Sequence, residues 1–297
     1  MHSYLRSIGL RGIQQQDLEE IYKKVKEQPD KVDQAVDSNG FSYVELRKEY
    51  LDGMGIAFRG TLDKNGEFIA EYYFPYRIGS HLSTNESVEV VRHSEKESLE
   101  GICEEYRLGT DLIFFVEDMF KVLKSDQRKN KHVNFGGVTI SSLALEGKIL
   151  LPAKKRKPKK PSNGKKVKTR GELMRDSKRG DGKAFEQLAL TEMDIYSKIT
   201  KRVMKREDIY SIVESSFIPS GIEIDKYQVL AEILEVSLVK NAYTAQELYV
   251  MTLNCSGFVF EMCINREDLY GEPLPGRRFK GEVWLQGSVC NTKLSNI

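Results

Sequence analysis

Four histidines and four cysteines are the side chains of this 297-residue chain that could serve as general bases, nucleophiles or metal ligands. His81 and His93 lie in a polar, loop-rich stretch close to Glu89, Glu95 and Glu97. A histidine beside a carboxylate can act as a general base, so one hypothesis is an enzyme that uses His81 or His93. The chain has no GxSxG nucleophile motif, and histidines among charged residues are commonly plain surface groups. Catalysis is therefore the third of three functional hypotheses, and the expectation is that the protein is not an enzyme.

The cysteines do not show the spacing of a metal site. Cys103, Cys255, Cys263 and Cys290 form no CxxC pair, and the chain has no HxxxH pair, whereas zinc sites usually show such short spacings. The sequence also lacks the glycine-rich loops that cradle nucleotide phosphates. We therefore predict free thiols in a reducing cytosol and neither a metal nor a cofactor.

The strongest charge feature is a basic run at residues 154–170, KKRKPKKPSNGKKVKTR, with ten Lys or Arg and no acidic residue. The whole chain has a net charge of +2, so the remainder holds 36 basic against 44 acidic residues, a net charge of −8. Such a run could neutralise several phosphates, although it contains no aromatic residue on which a base could stack. The alternative is a solvated linker between two acidic domains. The candidate nucleic-acid-binding residues in this run are Lys154, Lys155, Arg156, Lys157, Lys159 and Lys160.

A second route to the same class of partner lies in the last third of the chain. Alternating apolar residues predict, in order, strands at 227–240, 248–255 and 258–264, a short helix at 266–270 and a strand at 278–286. This is the order of an OB-fold, a five-stranded barrel that often binds oligonucleotides. A fifth strand at 288–294 is short and polar, so the barrel is either incomplete or closed by another segment.

The barrel adds four candidate nucleic-acid-binding residues: Arg277, Arg278, Lys280 and Trp284. Phe258 and Phe260 alternate with Met262 as an inward face does, so they are expected in the core rather than on a ligand. Trp284 is either exposed or a side chain that closes the barrel.

The first half of the chain predicts an antiparallel sheet with helices. Apolar spacing predicts a helix over 15–26 and a second helix from Thr110 to about Lys124. A hairpin is expected at 56–76 around the Asp63–Gly66 turn, and a further strand at 138–151 is expected to close this region. The fold class is therefore α+β, with an N-terminal antiparallel sheet with helices and a C-terminal OB-like β-barrel.

These elements divide the chain into four predicted parts: an α+β domain at 1–152, the basic linker at 153–171, a helical segment at 172–220 and the barrel domain at 221–297. The chain has 30% charged and 40% hydrophobic residues, and its longest apolar run is shorter than the roughly 18 residues that would cross a membrane. The N-terminus lacks the apolar core of a signal peptide. We therefore expect a cytoplasmic protein that does not bind membranes.

Three segments resemble a bacterial protein family of unknown function: MHSYLRSIGL at 1–10, EYYFPY at 71–76 and GEPLPGRRFKGEVWLQG at 271–287. The segment at 194–219 is similar to this family as well. The family occurs mainly in anaerobic Gram-positive bacteria. The resemblance implies a bacterial cytosolic origin and assigns neither an activity nor any site residue.

The leading hypothesis is a non-enzymatic binding protein whose partner is nucleic acid or a nucleoprotein assembly. It depends on the basic run and on the OB-like order of strands. The alternative is a protein–protein scaffold in which the run is only a solvated linker. The sequence leaves the partner and the oligomeric state open.

Overall fold

The fold is given by a computed structural model that describes residues 1–36, 40, 42–92, 98–126, 133–153, 168–221 and 223–290. Its α-helices are α1 (Gln15–Glu27), α2 (Met119–Asp126), α3 (Arg170–Lys178), α4 (Gly182–Met204) and α5 (Ile209–Ile212), and 3-10 helices span Ser3–Ile8 and Arg266–Asp268. Its strands are β1 (Lys31–Val36), β2 (Ser42–Leu51), β3 (Met54–Leu62), β4 (Phe68–Arg77), β5 (Val88–Arg92), β6 (Leu99–Glu105), β7 (Thr110–Val116), β8 (Val133–Phe135), β9 (Val138–Leu150), β10 (Ser216–Pro219), β11 (Lys226–Lys240), β12 (Glu247–Cys255), β13 (Phe258–Asn265), β14 (Leu269–Tyr270) and β15 (Arg278–Val289). The predicted mixture of sheets and helices is confirmed.

The first sheet is an antiparallel meander of β1, β2, β3 and β4. The β3–β4 hairpin turns at Asp63–Gly66 as predicted, where Gly66 has a φ of +81° that glycine adopts without strain. Helix α1 buries Leu18, Ile21 and Val25 in the core shared with this sheet. The predicted N-terminal antiparallel sheet is therefore present.

The second sheet contains a closed five-stranded barrel. Its strands follow the order β11, β12, β13, β9 and β15, and β15 pairs back onto β11. Neighbouring strands are antiparallel except β13 and β9, which are parallel. Phe258, Phe260 and Phe279 fill the interior, so the predicted inward face of β13 is confirmed.

The strand that completes the barrel comes from the first half of the chain. β9 was expected to close the N-terminal sheet, but it pairs with β13 and β15 instead. The barrel is therefore not built from residues 221–297 alone. This pairing joins strands on either side of the basic run, so no local sequence pattern could indicate it.

The predicted helix from Thr110 to Lys124 is wrong in its first half. Residues 110–116 form β7, and helix α2 begins only at Met119. Leu112, Phe114 and Val116 alternate with less buried residues, so this dense apolar stretch fits a strand as well as a helix. β-branched and aromatic residues favour the strand. β7 pairs with β15 and extends the second sheet through β6, β5 and β8.

Helices α3 and α4 form a hairpin after the basic run. Asp181 caps α4 by accepting hydrogen bonds from the backbone N–H groups of Lys183 and Ala184. Leu173, Ala184 and Leu188 make a small apolar cluster between the two helices. None of the helices in the described ranges has the length and apolar character needed to cross a lipid bilayer.

Candidate functional site

The structure separates the predicted site residues into three groups. Lys154, Lys155, Arg156, Lys157, Lys159 and Lys160 lie outside the described residues. Arg278 and Trp284 on β15 are buried, whereas Arg277 and Lys280 are partly exposed.

Trp284 supports the junction between the barrel and the N-terminal segment. Its side chain is only 6% exposed, and its ring centroid lies 5.3 Å from that of Tyr4 and 5.5 Å from that of Phe115. The indole N–H donates to Asp225 at 2.7 Å. Burial raises the pKa of this Asp225 carboxyl group. Trp284 therefore belongs to the protein core and not to a surface on which a base could stack.

Arg278 anchors the chain segments on both sides of the basic run. Its guanidinium donates to the carbonyl oxygens of Leu151 at 2.9 Å, Val213 at 2.6 Å and Tyr210 at 2.5 Å. Burial lowers the pKa of Arg278, and the carbonyl dipoles stabilise the buried cation. This buried residue therefore holds Leu151, three residues before the run, against the barrel.

Lys280 faces outward and lies directly opposite Lys148 of β9. Lys148 in turn pairs in register with Tyr270 of β14, whose side chain is 73% exposed. Among the described residues neither lysine forms an ion pair; Lys280 hydrogen-bonds the Tyr210 hydroxyl and lies 4.2 Å above its ring. Like charges placed directly opposite each other across strands are destabilising, so an anion bound near both lysines would stabilise them.

Two glycines fix this register. Gly147 lies opposite Gly281 in the residue pair next to the lysines. A Cβ atom added to Gly147 would lie 2.3 Å from the Phe279 ring, and one added to Gly281 would lie 2.7 Å from it. The ring of Phe279 therefore fills the space that two side chains would take, and it holds β9 against β15 with Lys148 facing Lys280.

The lysine pair lies in a groove of about 1150 Å³ across the outer face of the barrel. At one border Arg6 donates to Asp268 at 2.8 Å, and Arg11 forms ion pairs with Glu267 and Asp268. These arginines are therefore neutralised within the protein. Lys148, Lys280 and Tyr270 line this groove together with Glu146 and Glu282, and we call it the barrel groove.

The N-terminal segment covers part of the outer surface of the barrel next to this groove. The Cys263 thiol contacts the Ser7 carbonyl at 3.2 Å, and the Asn265 amide donates to the Arg6 carbonyl at 3.3 Å. On the loop after β11, Asn241 donates to the Ile8 carbonyl at 2.7 Å. The outer face of β12 and β13 is thus occupied by the chain itself.

His81 contacts a buried carboxylate at the edge of this covered face. Its imidazole Nδ1 lies 3.5 Å from Glu261 and 2.5 Å from the Ser80 hydroxyl, yet its side chain is 71% exposed. Burial opposes the ionisation of Glu261, but hydrogen bonds from Ser80 and the charge of Arg77 lower its pKa. Glu261 is therefore a structural anion that binds Arg77 and Ser80, and His81 is a surface residue beside it. His93 lies outside the described residues.

A buried ionic network joins the two sheets and was not anticipated from the sequence. Arg59 is fully buried and donates to Glu45 at 2.5 Å and to the Glu117 carbonyl at 2.6 Å. Arg47 bonds the same two residues, and Ser288 of β15 donates to the Glu117 carboxylate at 2.8 Å. The network borders a cavity of about 420 Å³. Because its charged groups are bonded to one another, it serves to hold β2 and β3 against the second sheet.

Asp118, beside this network, is the carboxyl group with the most perturbed ionisation among these residues. Burial, followed by the neighbouring Glu117, raises its pKa to about 6. The backbone N–H of Val289 donates to it at 3.2 Å, and Lys121 lies 3.6 Å away. Within the part of the chain that the structure describes, no three His, Cys, Asp or Glu side chains converge to form a metal site.

Sequence reasoning found Lys280 but missed Lys148 and Tyr270. The alternation of Gly147 and Ile149 with Lys148 was a usable signal that Lys148 faces outward. Its partners could not be inferred because β9 meets β14 and β15 only through the tertiary pairing of distant strands.

The comparisons with known proteins give a family and no activity. No curated protein and no solved structure matches the chain. Residues 5–287 match the family described as a domain of unknown function named for an E. rectale gene, DUF3881. This match confirms the resemblance seen in the sequence, and since it spans nearly the whole chain, the protein belongs to the DUF3881 family.

Proposed function

We propose that the protein is a non-enzymatic, cytoplasmic binding protein for single-stranded nucleic acid. The observation that carries the proposal is the direct opposition of Lys148 and Lys280, with Tyr270 beside them, in the barrel groove. Positive charge for phosphates next to an exposed aromatic ring for bases is the combination that single-strand-binding surfaces use.

The pairing of the barrel strands supports an OB-like identity. An OB-fold closes five strands in the order 1-2-3-5-4-1, with strands 3 and 5 parallel. If β11, β12, β13, β15 and β9 are taken as strands 1 to 5, every pairing agrees. The fifth strand precedes the others in the chain, so we infer a circularly permuted OB-like barrel.

This assignment affects where a ligand binds. OB-folds usually bind oligonucleotides on the face of strands 2 and 3, which corresponds here to β12 and β13. That face is covered by the Ser7 and Ile8 backbone. The barrel groove lies across β9, β15 and β11 instead, so the proposed ligand binds on these strands.

The basic run follows the groove strand β9 closely in the chain. β9 ends at Leu150, two residues after Lys148, and the run begins at Lys154. Arg278 holds the intervening Leu151 carbonyl against the barrel. Lys148 therefore lies six residues before the run in the chain, which supports a joint role of the run and the groove lysines in binding a phosphate backbone.

Binding of the full-length chain to fluorescein-labelled oligo(dT) and oligo(rU), followed by fluorescence anisotropy, tests the proposal. We expect affinity to fall steeply between about 50 and 200 mM salt, and the K148S/K280S variant to reduce the slope of log K against log salt by roughly 1.4, about 0.7 per lost phosphate contact. Replacing the lysines of the run by serine should reduce it further.

Lys64 in the exposed β3–β4 turn provides the control for loss of a surface lysine away from the groove. We expect K64S to leave both the affinity and the slope unchanged. Absence of binding at low salt, or equal effects of K64S and K148S/K280S, would overturn the proposal.

A second candidate function is a protein–protein scaffold. It is favoured by apolar side chains exposed along α4, including Met193 and Tyr196, rather than by the barrel. A full-length chain that does not bind oligonucleotides but binds a protein partner through α4 would favour this alternative.

A further inference from the structure

Helix α4 carries an apolar surface that nothing in the single chain covers within the described residues. Its members lie on one side of the helix because Phe185, Met193, Tyr196 and Val203 follow one another at spacings of eight, three and seven residues, close to whole turns. We call the following set the α4 stripe, given with exposed fractions: Phe185 64%, Met193 69%, Tyr196 74%, Val203 47% and Met204 77%.

The α4 stripe is separate from the face of α4 that packs against α3. Ala184 and Leu188 point toward Leu173 of α3 and are buried, whereas the stripe lies on the adjoining side of α4. Isolated exposed apolar residues are normal, but a contiguous patch of several hundred Å² marks an interaction site. A helix that exposes such a patch over most of its length gains its stability from packing against a partner.

The charges of α4 identify the kind of partner. Glu186 lies near the start of the helix and Lys201 near its basic C-terminal end, and neither forms an ion pair among the described residues. Glu192, Asp194 and Arg202 are instead paired within the chain, with Arg170, Lys198 and Glu207 respectively. Lys205 and Arg206 continue the basic end. A second α4 that runs antiparallel brings Glu186 of one copy toward Lys201 of the other, and the macrodipoles of the two helices also oppose each other favourably.

We propose that two copies of the chain associate through antiparallel contact of their α4 stripes. Such an interface is isologous, with the same patch on both copies. With the two-fold axis near Asp194, Phe185 of one copy lies beside Val203 of the other, and Glu186 lies near Lys201. Aromatic side chains bury about 150–250 Å² each and Met and Val bury less, so the five partly exposed residues on each copy bury roughly 1,000 Å² in total, the lower bound for a specific interface.

Sedimentation equilibrium of the full-length chain tests this inference. We expect a reversible dimer and a dissociation constant that rises at least about thirtyfold in M193E/Y196E, because both side chains lie at the centre of the interface. Gln187 and Thr191 are exposed on another side of the same helix, so Q187E/T191E adds the same charge to α4 and should leave the dimer intact.

A charge exchange tests the orientation. E186K and K201E should each weaken the dimer, and the double variant E186K/K201E should restore it, because the exchanged charges again face each other. Circular dichroism verifies that each variant is folded. A wild-type chain that stays monomeric, a dimer insensitive to M193E/Y196E, or a double variant weaker than both single ones would overturn the inference. The oligonucleotide assay reports on the barrel groove and not on α4.

Discussion

The guanidinium of Arg278 and the carbonyl oxygen of Leu151 form a 2.9 Å hydrogen bond between the start of β15 and the residues that lead into the basic run. The same guanidinium bonds the carbonyls of Tyr210 and Val213, which follow the run in the chain. One buried cation therefore joins Leu151, three residues before the basic run, to the segment that follows helix α4.

Replacing Arg278 by glutamine should destabilise the protein by about 2–4 kcal/mol, since hydrogen bonds to charged groups contribute about 1.5–3 kcal/mol each and unpaired buried carbonyls add a cost. Urea unfolding followed by circular dichroism measures this change. Arg277, its partly exposed neighbour, donates to the Glu272 carbonyl, and R277Q should change the unfolding free energy by less than about 0.5 kcal/mol. Equal effects of the two substitutions would contradict the anchoring role.

The sequence predicted those elements whose signals are local. The Asp63–Gly66 hairpin, α1 and the inward face of β13 all follow from turn residues and from the spacing of apolar residues. Residues 110–116 were predicted as helix because a continuous apolar stretch fits both the 3.6-residue period of a helix and the two-residue period of a strand. β9 was assigned correctly as a strand, but its partners lie across the basic run, and strand pairing over that distance leaves no local trace.

The residues of the candidate site also divide into those with a local signal and those whose surroundings depend on tertiary contacts. Lys280 was found because it is a basic residue in a predicted strand, and Trp284 was included because nothing local showed that Tyr4 and Phe115 bury it. The ionic network of Arg59 and Glu45 could not be inferred either. Buried charges resemble exposed ones in sequence, and only the pairing of β2 with β3 shows that each has a partner.

The raised pKa of Asp118, about 6 in the folded protein against about 4 in an unfolded chain, predicts a pH dependence of stability. Between these values the folded state binds more protons than the unfolded state, so the contribution of Asp118 to stability is present below pH 4 and is lost as the pH rises toward 6. The loss is about 2–3 kcal/mol. Asparagine keeps an acceptor for the Val289 N–H and cannot ionise.

Urea unfolding at several pH values compares D118N with the wild type. The variant should become relatively more stable as the pH rises from about 4 to 6, with the difference constant above pH 7. Because both proteins contain the other carboxyl groups, comparing them at each pH cancels the contributions of those groups to the unfolding free energy. This includes Glu261, whose lowered pKa makes the protein more stable as the pH rises. A constant difference over the whole range would show that Asp118 titrates normally.

The four cysteines should differ sharply in reactivity. They are free, as predicted, and Cys290 is partly exposed while the others are buried. Burial raises the pKa of the Cys103 and Cys263 thiols to about 12 and that of Cys255 to about 11, and only the thiolate is nucleophilic. Native iodoacetamide labelling followed by peptide mass spectrometry should modify Cys290 alone, and labelling in urea should modify all four. Native modification of Cys263 would show that the N-terminal segment leaves the barrel face.

Gly9 offers a direct test of how closely that N-terminal segment is packed on the barrel. Gly9 and Gly12 both have positive φ angles, +85° and +80°, so alanine carries a similar backbone cost of about 1–2 kcal/mol at each. An added Cβ would lie 2.6 Å from Asn241 Cβ at Gly9, whereas at Gly12 nothing lies within 4 Å. Overpacking adds about 1–3 kcal/mol, so G9A should be less stable than G12A by that amount in urea unfolding. Because the backbone cost cancels, equal stabilities would mean that Asn241 does not hold the segment on this face of the barrel, and the face would then be open to a ligand.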